Sequence, residues 1–325
     1  MLVTFLVGAI ALGVVLLYGC LGETLMEKAG HLNLGIPGIM CMGTAGGCFG
    51  ALLYMKGLAQ ETDAKWLPLL LVSILFSILF SAATGAIYAF LTVTLRCNQN
   101  ITGLAVTTFG AGLSQFIMDT YVPRALRDSY FGVASKLFAK GIVNDPDANG
   151  VLKVFFSHGF FVYFAILLAI LFAIVLKRTR VGLHLRAVGE SPATADAAGV
   201  NVTAYKYVSI LVGSAVAGFG GLFYTMDYLK GSWENASTIE AFGWLAIALV
   251  IFTLWKPGIS IFGSILFGAL SIAAFVLNGT SAQKELLKLL PYVITVVVLV
   301  FTSIRNKREN QAPGALGLSY FREDR

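Results

Sequence analysis

Apolar residues run along this chain in nine long blocks, at 2–22, 34–55, 67–95, 101–118, 154–176, 205–226, 241–255, 258–278 and 287–304, with short polar stretches between them. A hydrocarbon core about 30 Å thick takes roughly 20 apolar residues per helix. The period-two alternation of membrane-barrel strands is absent, and backbone in lipid must close its own hydrogen bonds, so each block is predicted to be a transmembrane helix. The expected fold is all-α, a polytopic transmembrane helical bundle of about nine spans.

Composition agrees with the pattern. Of 325 residues 57% are hydrophobic and only 12% charged, with a mean hydropathy of +0.81; a soluble domain carries about 25% charge. One membrane domain over 1–304 and a tail over 305–325 use up the chain. Its orientation follows from Lys and Arg near the span ends. With the N-terminus outside and the C-terminus cytoplasmic, the inner segments hold 13 of the 23 positive residues and seven of the 17 acids, which puts the whole net charge of +6 inside. That bias explains a pI of 9.1 without nucleic acid as a partner. No Lys or Arg precedes Lys28, so the first block reads as a retained helix and not as a secretory signal. Cys20, Cys41, Cys48 and Cys97 lie in or beside spans with no C-x-x-C spacing and read as packing residues.

Little here can do catalysis. His31, His158 and His184 sit at three different span ends, too far apart to suggest a metal cluster or a catalytic triad, and no G-x-x-x-x-G-K-[ST] phosphate cradle exists. No enzyme activity and no cofactor are expected on this chain; ATP, if used, is bound by another subunit. The acids Glu23, Glu27, Asp119, Asp227 and Glu240 fall at the predicted span ends, as interfacial or loop groups, leaving no midplane charge for ion coupling.

Between spans five and six the polar stretch 186–202, "RAVGESPATADAAGVNV", predicts a helix of about two turns. Ser191 is a good N-cap, Pro192 suits the first helical position, Gly199 can end the helix in the left-handed region, and Asn201 or Thr203 can cap the next span. So short a helix is marginal alone in water and must dock on something. Small side chains at Ala195, Ala198 and Gly199 permit close approach. A second cluster, Gly30, Gly35, Pro37 and Gly38, is expected to break or widen a membrane helix, with Asn33 either satisfying freed backbone groups or facing a substrate route. Gly213, Ala217 and Gly221, with Gly218 in a parallel series, recur at four-residue spacing and read as helix-packing positions.

The run "LRAVGESPATADAAGVNVTAYKYVSILVGSAVAGFGGLFYTM" closely resembles the permeases of ATP-binding-cassette importers for nucleosides and simple sugars, relatives of the branched-chain amino acid permeases. "GETLMEKAGHLNLGIPGIMCMG" (22–43), "NQNITGLAVTTFGAG" (98–112) and "EAFGWLAIALVIFTLWKPGISIFGSILFGAL" (240–270) are similar to that family's motifs in the same order, the first being closest to the nucleoside branch. The resemblance implies that 186–202 is the segment that couples to the ATPase, with Glu190, Ser191, Pro192, Ala195, Ala198 and Gly199 on its motif. It also implies an ABC ATPase subunit, a second and non-identical permease subunit, an extracytoplasmic substrate-binding lipoprotein, and residence in a bacterial cytoplasmic membrane. Where the family pattern "NLG-x-E-G" carries an acid, this chain has Pro37. The outer segment 119–153 reads as a solvated loop with a short helix near 132–140 and an "NDPDANG" turn cluster, expected either to receive the binding protein or to serve as an extracytoplasmic cap that binds nothing. The expected function is therefore a nucleoside permease subunit forming half of a translocation pathway; a simple-sugar or branched-chain amino acid permease is the nearest alternative, and a stand-alone channel or secondary carrier the more distant one.

Overall fold

The computed structural model of the chain describes residues 2–142, 149–276, 280–305 and 311–321. Thirteen α-helices account for almost all of them, and the described residues contain no strand. Six helices are long and apolar enough to cross a membrane: α1 (Leu2–Glu27), α2 (Ile36–Lys56), α3 (Trp66–Ala89, continued by a π turn to Thr94), α4 (Gln99–Thr120), α7 (Phe160–Arg178) and α10 (Val202–Phe223, continued by a π turn to Tyr228). Shorter apolar stretches lie in α11 (Ala236–Phe252), α12 (Pro257–Val276) and α13 (Ser281–Arg305). The connecting helices are α5 (Arg124–Phe138), α6 (Gly150–Phe156), α8 (Arg180–Glu190) and α9 (Pro192–Ala197).

Burial separates a centre from a rim. The apolar windows of α2 and α10 are 89% and 78% buried, against 33% for α3 and for α7, so α2 and α10 form the axis around which the others pack. Lipid gives apolar side chains little reason to prefer a neighbouring helix, so tight association depends on small residues that let backbones approach. Gly22 of α1 meets Gly213 and Ala217 of α10, Gly43 of α2 meets Gly218, and Gly221 lies against the Met40 carbonyl. A Cβ on Gly110 of α4 would stand 2.6 Å from the Gly38 carbonyl oxygen of α2.

Several boundaries differ from the sequence pattern. The fifth apolar block is two helices: α6 ends at Phe156 and α7 starts at Phe160, because Gly159 adopts an extended conformation pressed against the Phe138 carbonyl. The outer segment carries a 15-residue amphipathic helix, α5, instead of a short one near 132–140; it closes on the bundle through buried Phe131, Ala134 and Phe138. Most of the "NDPDANG" cluster, and most of the basic tail at 306–310, lie outside the described residues. The Gly/Pro cluster does not break a span. It forms the turn between α1 and α2, with Gly35 as N-cap and Pro37 in the first turn of α2, where a missing N–H costs nothing.

Candidate functional site

The polar stretch between α7 and α10 folds as two helices, α8 and α9, not one. α8 is amphipathic: Leu185, Val188 and Gly189 are buried while Arg180, Arg186 and Glu190 are exposed. Its C-terminal residue is followed by Ser191, in extended geometry, whose hydroxyl accepts the Thr194 amide at 3.4 Å and starts α9 with Pro192 next in line. Only Ala195 of α9 is buried, against Val188 and Val202. Gly199 has φ +82°, and nothing lies within 4 Å of where its Cβ would be. The side chain of Asn201 then accepts the Ala204 amide at 3.0 Å and opens α10, three residues earlier than the apolar block begins. Glu190, Ala198 and Gly199 thus stand on an exposed ridge, with Pro192 half-buried at its base.

The tail holds this ridge from behind. Residues 311–321 cross the same end of the bundle, and the Ala315 amide donates to the Gly189 carbonyl at 2.9 Å. The Gly317 amide donates to Gly30 at 3.2 Å and the Gly314 amide to a Glu190 carboxylate oxygen at 3.2 Å. Tyr320 donates its hydroxyl to Asp196 of α9 at 2.9 Å, and the Gln99 amide donates to the Leu318 carbonyl at 3.3 Å. The tail therefore ties α8, α9, the start of α4 and the α1–α2 turn together.

That turn is where the sequence-based expectation for two acids fails. Glu23 and Glu27 lie in the last turns of α1 but are 0% and 2% exposed. Glu23 accepts the Asn33 amide at 2.8 Å, and Glu27 accepts the indole N–H of Trp255. They are braces, tying the re-entering backbone to α1 and to the α11–α12 corner. Asn33 is fully buried; its Oδ1 accepts the Gly35 amide at 2.9 Å and its Nδ2 points at the Met26 sulfur, 3.2 Å away. It satisfies backbone freed by the turn. Gly35 rests on Val106, Pro37 on Gly243 of α11, and Gly38 on α4, so this cluster is a packing node. His31, 1% exposed, has no partner for either ring nitrogen, and burial, with Lys206 adding to it, pushes its pKa well below 6.5.

A further exposed face runs along α4, in and beyond the motif at 98–112. Its exposed positions include Ile101, Leu104, Thr108, Phe109, Gly112, Phe116 and Asp119. The rim of α3, by comparison, shows Leu67, Leu71, Leu75, Leu79, Ile87 and Phe90, the composition lipid demands. Hydroxyl, glycine and carboxylate groups among aromatics suit a surface that meets water and solute. The signal was present in the sequence as Thr108, Gly112 and Asp119, spaced by four and then seven residues on one helix face, but the packing series on α2 and α10 looks alike until burial separates them.

Residues 5–299 match the family described as "Branched-chain amino acid transport system / permease component". Among its relatives, the "Putative glucose ABC transporter permease protein TsgC13" of Haloferax volcanii is 31% identical over 95% of this chain and 94% of its own. The nucleoside ABC transporter permease protein NupC of Lactococcus lactis is 30% identical over 87% of each chain, and the guanosine ABC transporter permease protein NupQ of Bacillus subtilis 28% identical over 95% and 94%.

Proposed function

The chain belongs to the family of permease components of branched-chain amino acid transport systems, and from that premise we propose that it carries nucleosides as one half of the pathway of an ATP-driven importer. As a permease component it is a multi-pass membrane protein with no enzymatic step of its own; ATP is hydrolysed on a separate subunit, and solute is delivered by a substrate-binding component. The substrate assignment rests on the names of NupC and NupQ and on the motif at 22–43. TsgC13, named for glucose, favours a simple-sugar cargo as the second reading.

The observation that carries the coupling role is the capped, six-residue α9, started by Ser191, with Ala195 buried, Pro192 and Asp196 half-buried, and Ala193, Thr194 and Ala197 exposed. A helix of under two turns does not persist by itself; its cap, the tail and α10 hold it in a shape ready to enter a cleft of the ATPase. In the proposed cycle a loaded binding protein docks on the end bearing α5, ATP closes the ATPase pair, and α9 passes that movement through α8 and α10 to the bundle. Two packings of the helices, each favoured by a different ligand state, alternate access. The partner across the pathway is a second, non-identical permease, facing α4; the binding protein is a lipoprotein; and the membrane is the bacterial cytoplasmic membrane, with α8, α9 and the tail inside.

The test is uptake of radiolabelled uridine, adenosine, ribose and leucine by cells expressing the full gene cluster with and without this chain. Loss of nucleoside uptake alone is the expected result. Loss of ribose or leucine uptake alone keeps the permease and replaces the cargo, and no change in any of the four removes the transport assignment.

A further inference from the structure

Behind α9 lies a half-open recess of about 440 Å³, walled by the end of α3, the 199–203 corner, the first turns of α10 and the tail. Its lining is mostly polar and contains one group that nothing explains so far. Lys206 is 4% exposed, and among the described residues no carboxylate or hydrogen-bond acceptor is paired with its ammonium group. A buried cation without a counter-ion is costly, and native structures pair such groups or give them a ligand. The same recess receives the N-terminus of α10, a helix of 22 residues. Asn201 takes the Ala204 amide, which leaves the amides of Val202 and Thr203, both in the wall of the recess, with no intrahelical partner. Backbone amides and the positive end of the helix dipole thus converge with a free ammonium group.

We propose that this recess is a binding site for a phosphate-class oxyanion, held by the Lys206 ammonium and the first amides of α10. Arg96 stands in the same wall, its guanidinium 4.7 Å from the centre of the Phe321 ring. Among the described residues of the lining, Lys206 and Arg96 stand against one carboxylate, Asp196, which receives the Tyr320 hydroxyl at 2.9 Å. A tetrahedral anion offers several acceptors at once, which matches a donor set of one ammonium and two adjacent amides; a thiolate or halide does not. The walls belong to α9, α10 and the tail, so an occupied site fastens together the three elements that move if α9 transmits force. The anion's source is either a free phosphoryl compound or the headgroup of an anionic phospholipid, and the two are separable.

The experiment is thermal unfolding of the full-length chain in nanodiscs, comparing wild type with Lys206→Met, Lys206→Arg and Thr203→Glu. Thr203 is exposed, so Thr203→Glu fills the recess with a carboxylate without touching the core. Phosphate is excluded from protein surfaces and stabilises folded chains generally, so the informative quantity is the shift relative to chloride at equal ionic strength, compared between variants. In phosphatidylcholine discs, inorganic phosphate at tenfold over its dissociation constant is expected to raise the wild-type midpoint by about 3 °C beyond the general effect. Lys206→Arg keeps that increment, and Lys206→Met and Thr203→Glu lose it. If the increment appears only when phosphatidylglycerol replaces phosphatidylcholine, and vanishes in the same two variants, the site takes a lipid headgroup. Equal shifts in wild type and Thr203→Glu under both conditions overturn the proposal. So does the absence of any increment together with loss of ATPase co-purification in Lys206→Met, since the cation would then serve an acidic side chain of the ATPase.

Discussion

Gly110 and Gly112 of α4 are two residues apart, and the same substitution at each should have opposite effects. In a helix interior alanine is favoured over glycine by about 1 kcal/mol, because it loses less backbone freedom. At Gly112 nothing lies within 4 Å of the added methyl, so Gly112→Ala should gain up to that amount. At Gly110 the methyl would stand 2.6, 2.7 and 2.8 Å from the carbonyl oxygen, carbonyl carbon and Cα of Gly38. Those are backbone atoms of the most buried helix, which cannot swing away as a side-chain end can. Overpacking of this kind costs about 1–3 kcal/mol, so Gly110→Ala should lose up to about 2 kcal/mol net and the two variants should differ by about 1–3 kcal/mol. At roughly 2 °C per kcal/mol for a chain of this size, detergent-solubilised Gly112→Ala should melt about 2–6 °C above Gly110→Ala. Midpoints within 1 °C of each other would refute the α2–α4 approach. The same pair addresses the route. Gly112→Trp, on the open face, should leave the folded yield unchanged and cut uptake at least tenfold; undiminished uptake would mean that this face meets lipid or a partner away from the pathway.

Three further outcomes follow from the end of the bundle that carries α9. Gly199→Asn, which tolerates a positive φ, should keep substrate-stimulated ATPase activity, and Gly199→Trp should abolish it while the chain still inserts; the space around Gly199 is empty within this chain, so an effect of bulk there reports a docked subunit. A chain stopped after residue 310 loses the hydrogen bonds from the tail to Gly30, Gly189, Glu190 and Asp196 and should show basal ATPase activity less responsive to substrate, measured in the reconstituted complex; an unchanged stimulation ratio would make the tail ornamental. His31 has a folded pKa below its unfolded value near 6.5, so the unfolded chain takes up the proton first and stability should fall as pH drops below about 6.5, by up to about 1.4 kcal/mol per pH unit until the folded form titrates; His31→Gln should flatten that stretch of a pH–melting curve.

The parts of this fold that side chains announce were legible, and those that backbone alone makes were not. Membrane helices are written in runs of apolar residues, and the start of α9 is written in Ser191-Pro192 because a hydroxyl must take a first-turn amide there. The break between α6 and α7 was invisible because Phe155 and Phe156 continue the apolar pattern up to it, and the extended conformation at Gly159 is a response to Phe138, distant in sequence. Glu23 and Glu27 misled for the complementary reason: acids one turn apart near a span end look interfacial, and only the folded chain brings them the Asn33 amide from the 28–35 turn and the Trp255 indole from the α11–α12 corner. The tail binds in part through amides of Gly314, Ala315 and Gly317, which no side chain announces, while Ser319 and Tyr320 bond to the Arg96 carbonyl and Asp196, partners too distant in sequence for any pattern to reveal. Pro37, the departure from the family's acid, acquires a reason of the same sort. It sits in the first turn of α2, and a Cβ on the facing Gly243 of α11 would overlap it, so the two backbones touch at a place where a carboxylate would have to be buried. A proline meets the first-turn constraint and presents no polar atom to that contact. Where the resemblance implies a carboxylate that would need a partner, this chain has a residue that needs none, and the buried carboxylates of the turn are Glu23 and Glu27 on its other side.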